Sequence, residues 1–103
     1  MRSVLQTGQR IFTPEMQLSY KKGAGEFSRF GFIVGTNLDK RATARNRMKR
    51  LLRESVQHLL PQIVIGTEGV FLVRKHLDDR SEREVEAIVY TLLNRAALLN
   101  SPL

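Results

Sequence analysis

The chain of 103 residues has no cysteine, no tryptophan and only three prolines. The absence of cysteine excludes disulfides and thiolate metal sites, and it suits a reducing compartment. Long hydrophobic runs are also absent: stretches such as residues 70–73 are far shorter than the roughly 18 to 20 residues that span a bilayer. The N-terminus lacks the apolar core of a signal peptide. We therefore expect a cytoplasmic protein without a membrane partner.

Acidic residues are scarce in the first three quarters of the chain. Lys and Arg number 17 against 10 Asp and Glu, for a formal net charge of +7, and the pI is near 10.6. A strong basic excess indicates a polyanionic partner, with nucleic acid ahead of an acidic membrane surface. The length and the apolar content of 42% allow one hydrophobic core. We therefore treat residues 1–103 as a single nucleic-acid-binding domain.

Hydrophobic alternation predicts four strands, at residues 9–13, 15–20, 27–36 and 70–74. A short glycine-containing loop joins the second and third strands, so we expect them to form an antiparallel hairpin. The last strand is apolar on both faces, which predicts a central, fully buried position. Residues 1–8 show no clear period, and at most a short helical turn is expected there.

Two helices are predicted, one before and one after the last strand. The first should begin at Thr43, as N-cap, and end at about Leu60 because Pro61 follows. The second opens with a capping box formed by Ser81 and Glu84. The resulting order is ββ(β)αβα. We expect an α+β fold, a small two-layer sandwich with a mostly antiparallel four-stranded sheet and helices packed on one face.

The first predicted helix is basic and amphipathic at once. Residues 40–53 contain seven Lys or Arg side chains and no acidic residue, and a helical wheel separates the basic residues from the apolar ones. Ordinary solvated faces mix Glu with Lys, since like charges four residues apart repel by a few tenths of a kcal/mol. The unpaired charge favours a phosphate backbone as partner over a solvated surface. The predicted binding residues are Lys40, Arg41, Arg45, Asn46, Arg47, Lys49, Arg50 and Arg53.

Three segments carry a family resemblance. They are the run Arg45-Asn46-Arg47 with its following basic residues, the strand at residues 29–34, and the strand at residues 69–74. Together with the closing amphipathic helix, they resemble the protein subunit of bacterial ribonuclease P over about residues 4–100. The resemblance implies the α-β-β-β-α-β-α sandwich of that family, a ribosomal S5 domain 2-like fold. Its strand–helix–strand crossover is left-handed, against the usual rule.

The resemblance also implies the function. The protein would bind the catalytic RNA of ribonuclease P, as a monomer in a 1:1 complex, and would guide the 5′ leader of precursor tRNA through a cleft over the sheet. Chemistry would belong to the RNA with Mg²⁺, so this chain would be an endoribonuclease only as part of the holoenzyme. We expect no catalytic residue, no metal ligand and no cofactor in the chain itself, and no DNA partner. The expected leader-cleft residues are Phe12, Gln17, Ser19, Arg29 and Ile33.

Two departures from the family pattern bear on leader binding. The family opens with a longer basic helix that carries an aromatic residue near the leader, and here we expect that helix to be reduced or missing. The family also tends to have Ser-Lys-Lys where this chain has Gly35-Thr36-Asn37, which removes two positive charges. The two histidines, His58 and His76, appear isolated in the sequence and are expected to be surface or packing residues.

Three other functions fit parts of the sequence. A small basic ribosomal or ribosome-associated RNA-binding protein shares the size and charge, but it would not depend on ribonuclease P RNA. A helix-turn-helix DNA-binding module is disfavoured because a strand separates the two long helices. A stand-alone nuclease would need carboxylates clustered around two metal ions about 4 Å apart, and the acids here lie mostly in the last helix.

Overall fold

The computed structural model describes residue 4, residues 8–22 and residues 25–100. The elements are β1 (Gln9–Phe12), β2 (Met16–Lys22), β3 (Arg29–Ile33), α1 (Ala42–Leu59), a 3₁₀ turn (Leu60–Gln62), β4 (Thr67–Val73) and α2 (Glu82–Arg95). The predicted order and the α+β class are confirmed. The prediction for residues 1–8, including a reduced or missing first helix, concerns residues that, apart from Val4 and Gly8, lie outside the described part.

The four strands form one mixed sheet in the order β1-β2-β4-β3. β1 pairs with β2, and β2 with β4, in antiparallel fashion, whereas β3 pairs with β4 in parallel. The predicted hairpin of the second and third strands is therefore wrong, because β4 lies between them. Alternation of apolar residues tells which face of a strand is buried, but it does not tell which strand is the neighbour. The central position predicted for β4 is confirmed.

Both helices pack against one face of the sheet. Phe71, at the centre of β4, is fully buried, and its ring lies 6.1 Å from that of Phe30 and 5.9 Å from that of Phe32, measured between centroids. The helices contribute the other side of the core. The buried residues are Met48, Leu52, Val56 and Leu59 from α1 and Val85, Val89, Leu92 and Leu93 from α2. In the described part of the chain, no helix has the length and apolar character needed to cross a bilayer.

The two helices begin differently. α2 has the predicted capping box: Glu84 N–H donates to Ser81 Oγ at 3.2 Å, and Ser81 N–H donates to Glu84 Oε1 at 3.0 Å. α1 begins earlier than predicted, with Arg41 rather than Thr43 as its N-cap, and the Arg41 side chain makes no capping bond. Instead, the carboxylate of Asp39 accepts the Arg41 backbone N–H at 2.8 Å. An acid two residues upstream therefore replaces the expected threonine cap.

Candidate nucleic-acid interface

The outward face of α1 is a cationic surface, which we call the basic ridge. The inner face of the helix is fixed by the core, where Met48 and Leu52 are fully buried, so the intervening basic side chains point outward. Among the described residues, no acidic side chain forms an ion pair with these basic groups. The basic ridge consists of Asn46, Arg47, Lys49, Arg50 and Arg53.

One end of the basic ridge reaches the edge strand of the sheet. The guanidinium of Arg53 lies over the ring of Phe32 in β3, 5.8 Å from its centroid. A cation–π contact of this kind holds the guanidinium in place, and the exposed position of Arg53 leaves its N–H groups available to an anion. Arg53 therefore connects the ridge with the sheet.

The remaining predicted basic residues lie at the start of α1, where the chain itself binds two of them. Arg45 Nη1 donates to the backbone oxygens of Asp39 and Lys40 at 3.0 and 2.9 Å. Arg41 Nη2 donates to Asp39 Oδ2 at 2.8 Å. Hydrogen bonds from the side chain and then the backbone of Arg41 lower the pKa of Asp39 far below its ordinary value of 3.8. These residues fix the start of the helix, while Lys40 is exposed.

Asp39 also contacts His76, in a group we call the loop network: Asp39, Arg41, His76 and Asp78. His76 Nε2 lies 2.7 Å from Asp39 Oδ2, and Nδ1 lies 3.3 Å from Asp78 Oδ2. Donor atoms of the two aspartates and the histidine lie within 4.8 Å of one another. The two ring nitrogens face different carboxylates, and Arg41 also binds Asp39, so the observed contacts form a network of charged and hydrogen-bonding groups. The prediction that His76 is isolated is wrong, because two distant loops meet here.

His58 is not isolated either. Its Nδ1 lies 2.7 Å from Oε1 of Glu86, so this contact joins the end of α1 to α2. The side chain of His58 is 76% exposed. An ion pair this exposed contributes little to stability. The expectation of a surface residue therefore holds for His58, but with a partner that the sequence spacing did not signal.

The strand register brings the five predicted cleft residues to one face of the sheet, opposite the helices. Three rows of paired residues cross this surface, which we call the open face. The first row contains Phe12, Gln17, Leu72 and Ile33; the second contains Arg10, Ser19, Val70 and Gly31; the third contains Lys21, Glu68 and Arg29. Phe12, Gln17, Ser19, Arg29 and Ile33 therefore share one surface.

These residues differ in what they can offer to a ligand. Phe12 is 49% exposed and Ile33 is 37% exposed, and Arg29 is also exposed. Ser19 is fully buried and accepts a hydrogen bond from Gln17 Nε2 at 3.1 Å. Ser19 therefore offers no exposed atom to a ligand, and Val70, its neighbour in the same row, is also buried.

Arg74 also lies on this surface, although it was not among the predicted cleft residues. Its guanidinium lies 5.6 Å from the centroid of the Phe12 ring, and its backbone N–H donates to the oxygen of Glu15 at 2.8 Å. Arg74 thus continues the alternation of β4 by two residues from Leu72, on the same face. The alternation of side chains along β4 is the sequence signal that could have identified Arg74 as a residue of this face. Arg74 adds a positive charge beside the exposed aromatic ring.

Comparison with known proteins decides the family. The family model described as Ribonuclease P matches residues 1–97. This chain belongs to the ribonuclease P protein family. The ribonuclease P protein component of Chloroflexus aggregans is 34% identical over 102 residues, which cover 98% of this chain and 75% of the relative. That of Xanthomonas campestris is 32% identical over 99 residues, which cover 96% and 66% of the two chains.

Solved ribonuclease P proteins have the same fold. The RNase P protein from Thermotoga maritima superposes with a TM-score of 0.81 at 25% identity, covering 89% of this chain and 86% of that one. The Staphylococcus aureus protein gives a TM-score of 0.83 at 18% identity, covering 96% and 90%, which supports the fold alone. RNA binding and a role in tRNA 5′ processing, as the protein subunit of a ribonuclease P holoenzyme, follow from family membership. The family match also favours ribonuclease P over the ribosomal, DNA-binding and nuclease alternatives.

Proposed function

We propose that this ribonuclease P protein binds the catalytic RNA through the basic ridge, and that the RNA, with Mg²⁺, carries out the cleavage. The observation that supports this proposal is the uncompensated charge of α1. Its ridge has four basic side chains without an acidic partner among the described residues, so binding of phosphates would relieve their mutual repulsion. The arginines can also meet a phosphate with two parallel hydrogen bonds.

The open face is the proposed path of the single-stranded leader. Single strands bind where aromatic surfaces lie beside positive charge. Phe12 with Arg74 supplies such a pair at one end of the face, Ile33 supplies apolar surface, and Arg29 supplies charge at the other end. The half-buried Gln17 lies between them, and it donates a hydrogen bond to the buried Ser19.

We further propose that residues 1–103 act as a single RNA-binding domain and that one protein binds one RNA. The assembly is cytoplasmic, and Mg²⁺ is bound with the RNA. The proposal needs no catalytic residue and no metal ligand from this chain.

The test is cleavage of precursor tRNA at low Mg²⁺ by the matching ribonuclease P RNA, with and without the protein. We expect the protein to stimulate cleavage. Replacing Arg47, Lys49 and Arg50 together by Ala should abolish the stimulation, whereas Arg83→Ala, a charge removal at an exposed position in the first turn of α2, should leave it intact. Absence of stimulation by the unaltered protein, despite tight RNA binding, would contradict the proposal.

A further inference from the structure

The loop network joins the two connections that meet at the start of α1. Asp39 and Arg41 come from the connection between β3 and α1, and His76 and Asp78 come from the connection between β4 and α2. The Asp39 side chain is 7% exposed, that of His76 33% and that of Asp78 43%. The network is therefore partly shielded from water, yet His76 can still exchange a proton with solvent.

His76 contacts a carboxylate oxygen at each of its two ring nitrogens. A neutral imidazole has one N–H donor and one lone pair, so it can donate to one carboxylate only, and its lone pair faces the other. A protonated ring has an N–H at both nitrogens and a positive charge. Nε2 lies within hydrogen-bond distance of Asp39 at 2.7 Å, and Nδ1 lies within ion-pair distance of Asp78 at 3.3 Å, so a positive charge on the ring suits both carboxylates.

Protonation also changes the charge beside the proposed RNA interface. With a neutral His76, the two carboxylates and the Arg41 guanidinium leave the network with one net negative charge, and protonation brings it to zero. Arg47 of the basic ridge lines the same cleft as Arg41 and Asp78. A net negative charge at this position repels phosphates, and its removal favours them.

We propose that His76 is a protonation-dependent latch that joins the two loops, neutralises the network and raises the affinity for RNA. This inference rests on the proposed function, because it requires RNA to bind at the basic ridge. The charged groups that face His76 are Asp39, Asp78 and Arg41, and Arg45 and Arg47 lie next to them. The arginines keep their charge at all relevant pH values.

The test is the affinity for ribonuclease P RNA, measured at constant ionic strength between about pH 5.5 and pH 8. The affinity should fall as the pH rises, by at most about tenfold per pH unit, which is the limit for one linked proton. His76→Gln should flatten the profile. His58→Gln is the matched control and should keep the slope, because His58 pairs with Glu86 at the far end of α1. These are the two histidines of the chain.

A second variant separates the latch from a structural role. Asp78→Asn keeps the ring and removes one carboxylate, so it should move the midpoint of the profile to lower pH. A structural role alone would lower the affinity equally at every pH. A flat profile for the unaltered protein, or an unchanged slope in His76→Gln, would overturn the latch. If the Ala variant at Arg47, Lys49 and Arg50 binds RNA normally, the proposed interface has failed and the latch fails with it.

Discussion

The two helices cover the same face of the same sheet, yet their surfaces are built in opposite ways. α2 has a capping box, acids in its first turn at Glu82 and Glu84, and a base in its last turn at Arg95, and this order matches the helix dipole. The N-cap residue of α1, Arg41, makes no side-chain capping bond, and the first turn of α1 has no acid. The surface of α2 stabilises its own helix, whereas the surface of α1 carries positive charge without an acidic ion-pair partner among the described residues. Both helices bury comparable apolar stripes, so packing is what they share.

The largest expected effect tests that shared packing. Leu52→Ala in α1 and Leu92→Ala in α2 each remove a fully buried side chain and should each lower the free energy of unfolding by about 2 to 5 kcal/mol. Urea denaturation measures both. Leu51→Ala, at a half-buried site in α1, should cost less. A negligible loss for Leu52→Ala would show that α1 does not depend on packing.

The second effect tests the difference between the surfaces of α1 and α2 in RNA binding. Replacing Arg47, Lys49 and Arg50 by Ala should reduce the slope of log affinity against log salt by about three, one for each lost phosphate contact. Stability should stay the same or rise by a few tenths of a kcal/mol, because repulsion within the helix is relieved. Arg83→Ala on α2 should change neither quantity. Equal slopes for the ridge variant and the unaltered protein would remove these residues from the interface.

The third effect compares the two helix starts. Ser81→Ala should destabilise the protein by about 1 kcal/mol, since it removes the side-chain acceptor of the α2 capping box. Thr43→Ala should have almost no effect, because Thr43 lies inside the first turn of α1 and is not its cap. Thermal or urea unfolding of the two variants side by side provides the measurement. A large loss for Thr43→Ala would contradict the assigned start of α1.

The smallest effect is a stabilisation that is lost in acid, and it concerns the start of α1. The hydrogen bonds of Arg41 lower the pKa of Asp39 below its ordinary value of 3.8. Asp39 therefore stabilises the folded state above that pH, and its contribution is lost as the pH falls below it. The difference in unfolding free energy between the unaltered protein and Asp39→Asn should be larger at about pH 5 than at about pH 3. A difference that grows in acid would reverse the sign and exclude this role.

The sequence alone predicted the features that depend on local period. The buried stripe of α1, the capping box at Ser81 and the element order all follow from residues within a few positions of one another. The five predicted cleft residues lie on one face of the sheet, because alternation along a strand determines the face that each side chain occupies. Leu51 shows the limit of the helical pattern. It lies at the edge of the apolar side of the helical wheel, and it is only half-buried.

What the sequence did not predict depends on which distant segments meet. The parallel pairing of β3 with β4 places a later strand between two earlier ones, and no local pattern encodes that choice. The contact of His76 with Asp39 likewise needs two loops to converge. The cap of α1 was missed for a related reason: Asp39 binds Arg41 from outside the helix, so Thr43, which has a suitable side chain, is not used.

The position of β4 inside the sheet also determines the order in which the parts of the nascent chain can fold. During synthesis, β3 has no partner strand until residue 73 has been made, because β4 is its neighbour. The basic helix leaves the ribosome before that strand does. Closing the sheet then requires pairing across a long stretch of chain, which is the slow kind of folding step. The nascent chain therefore displays the charge of the basic ridge before its fold is finished, and a polyanion that arrives early meets a charged helix on an incomplete core.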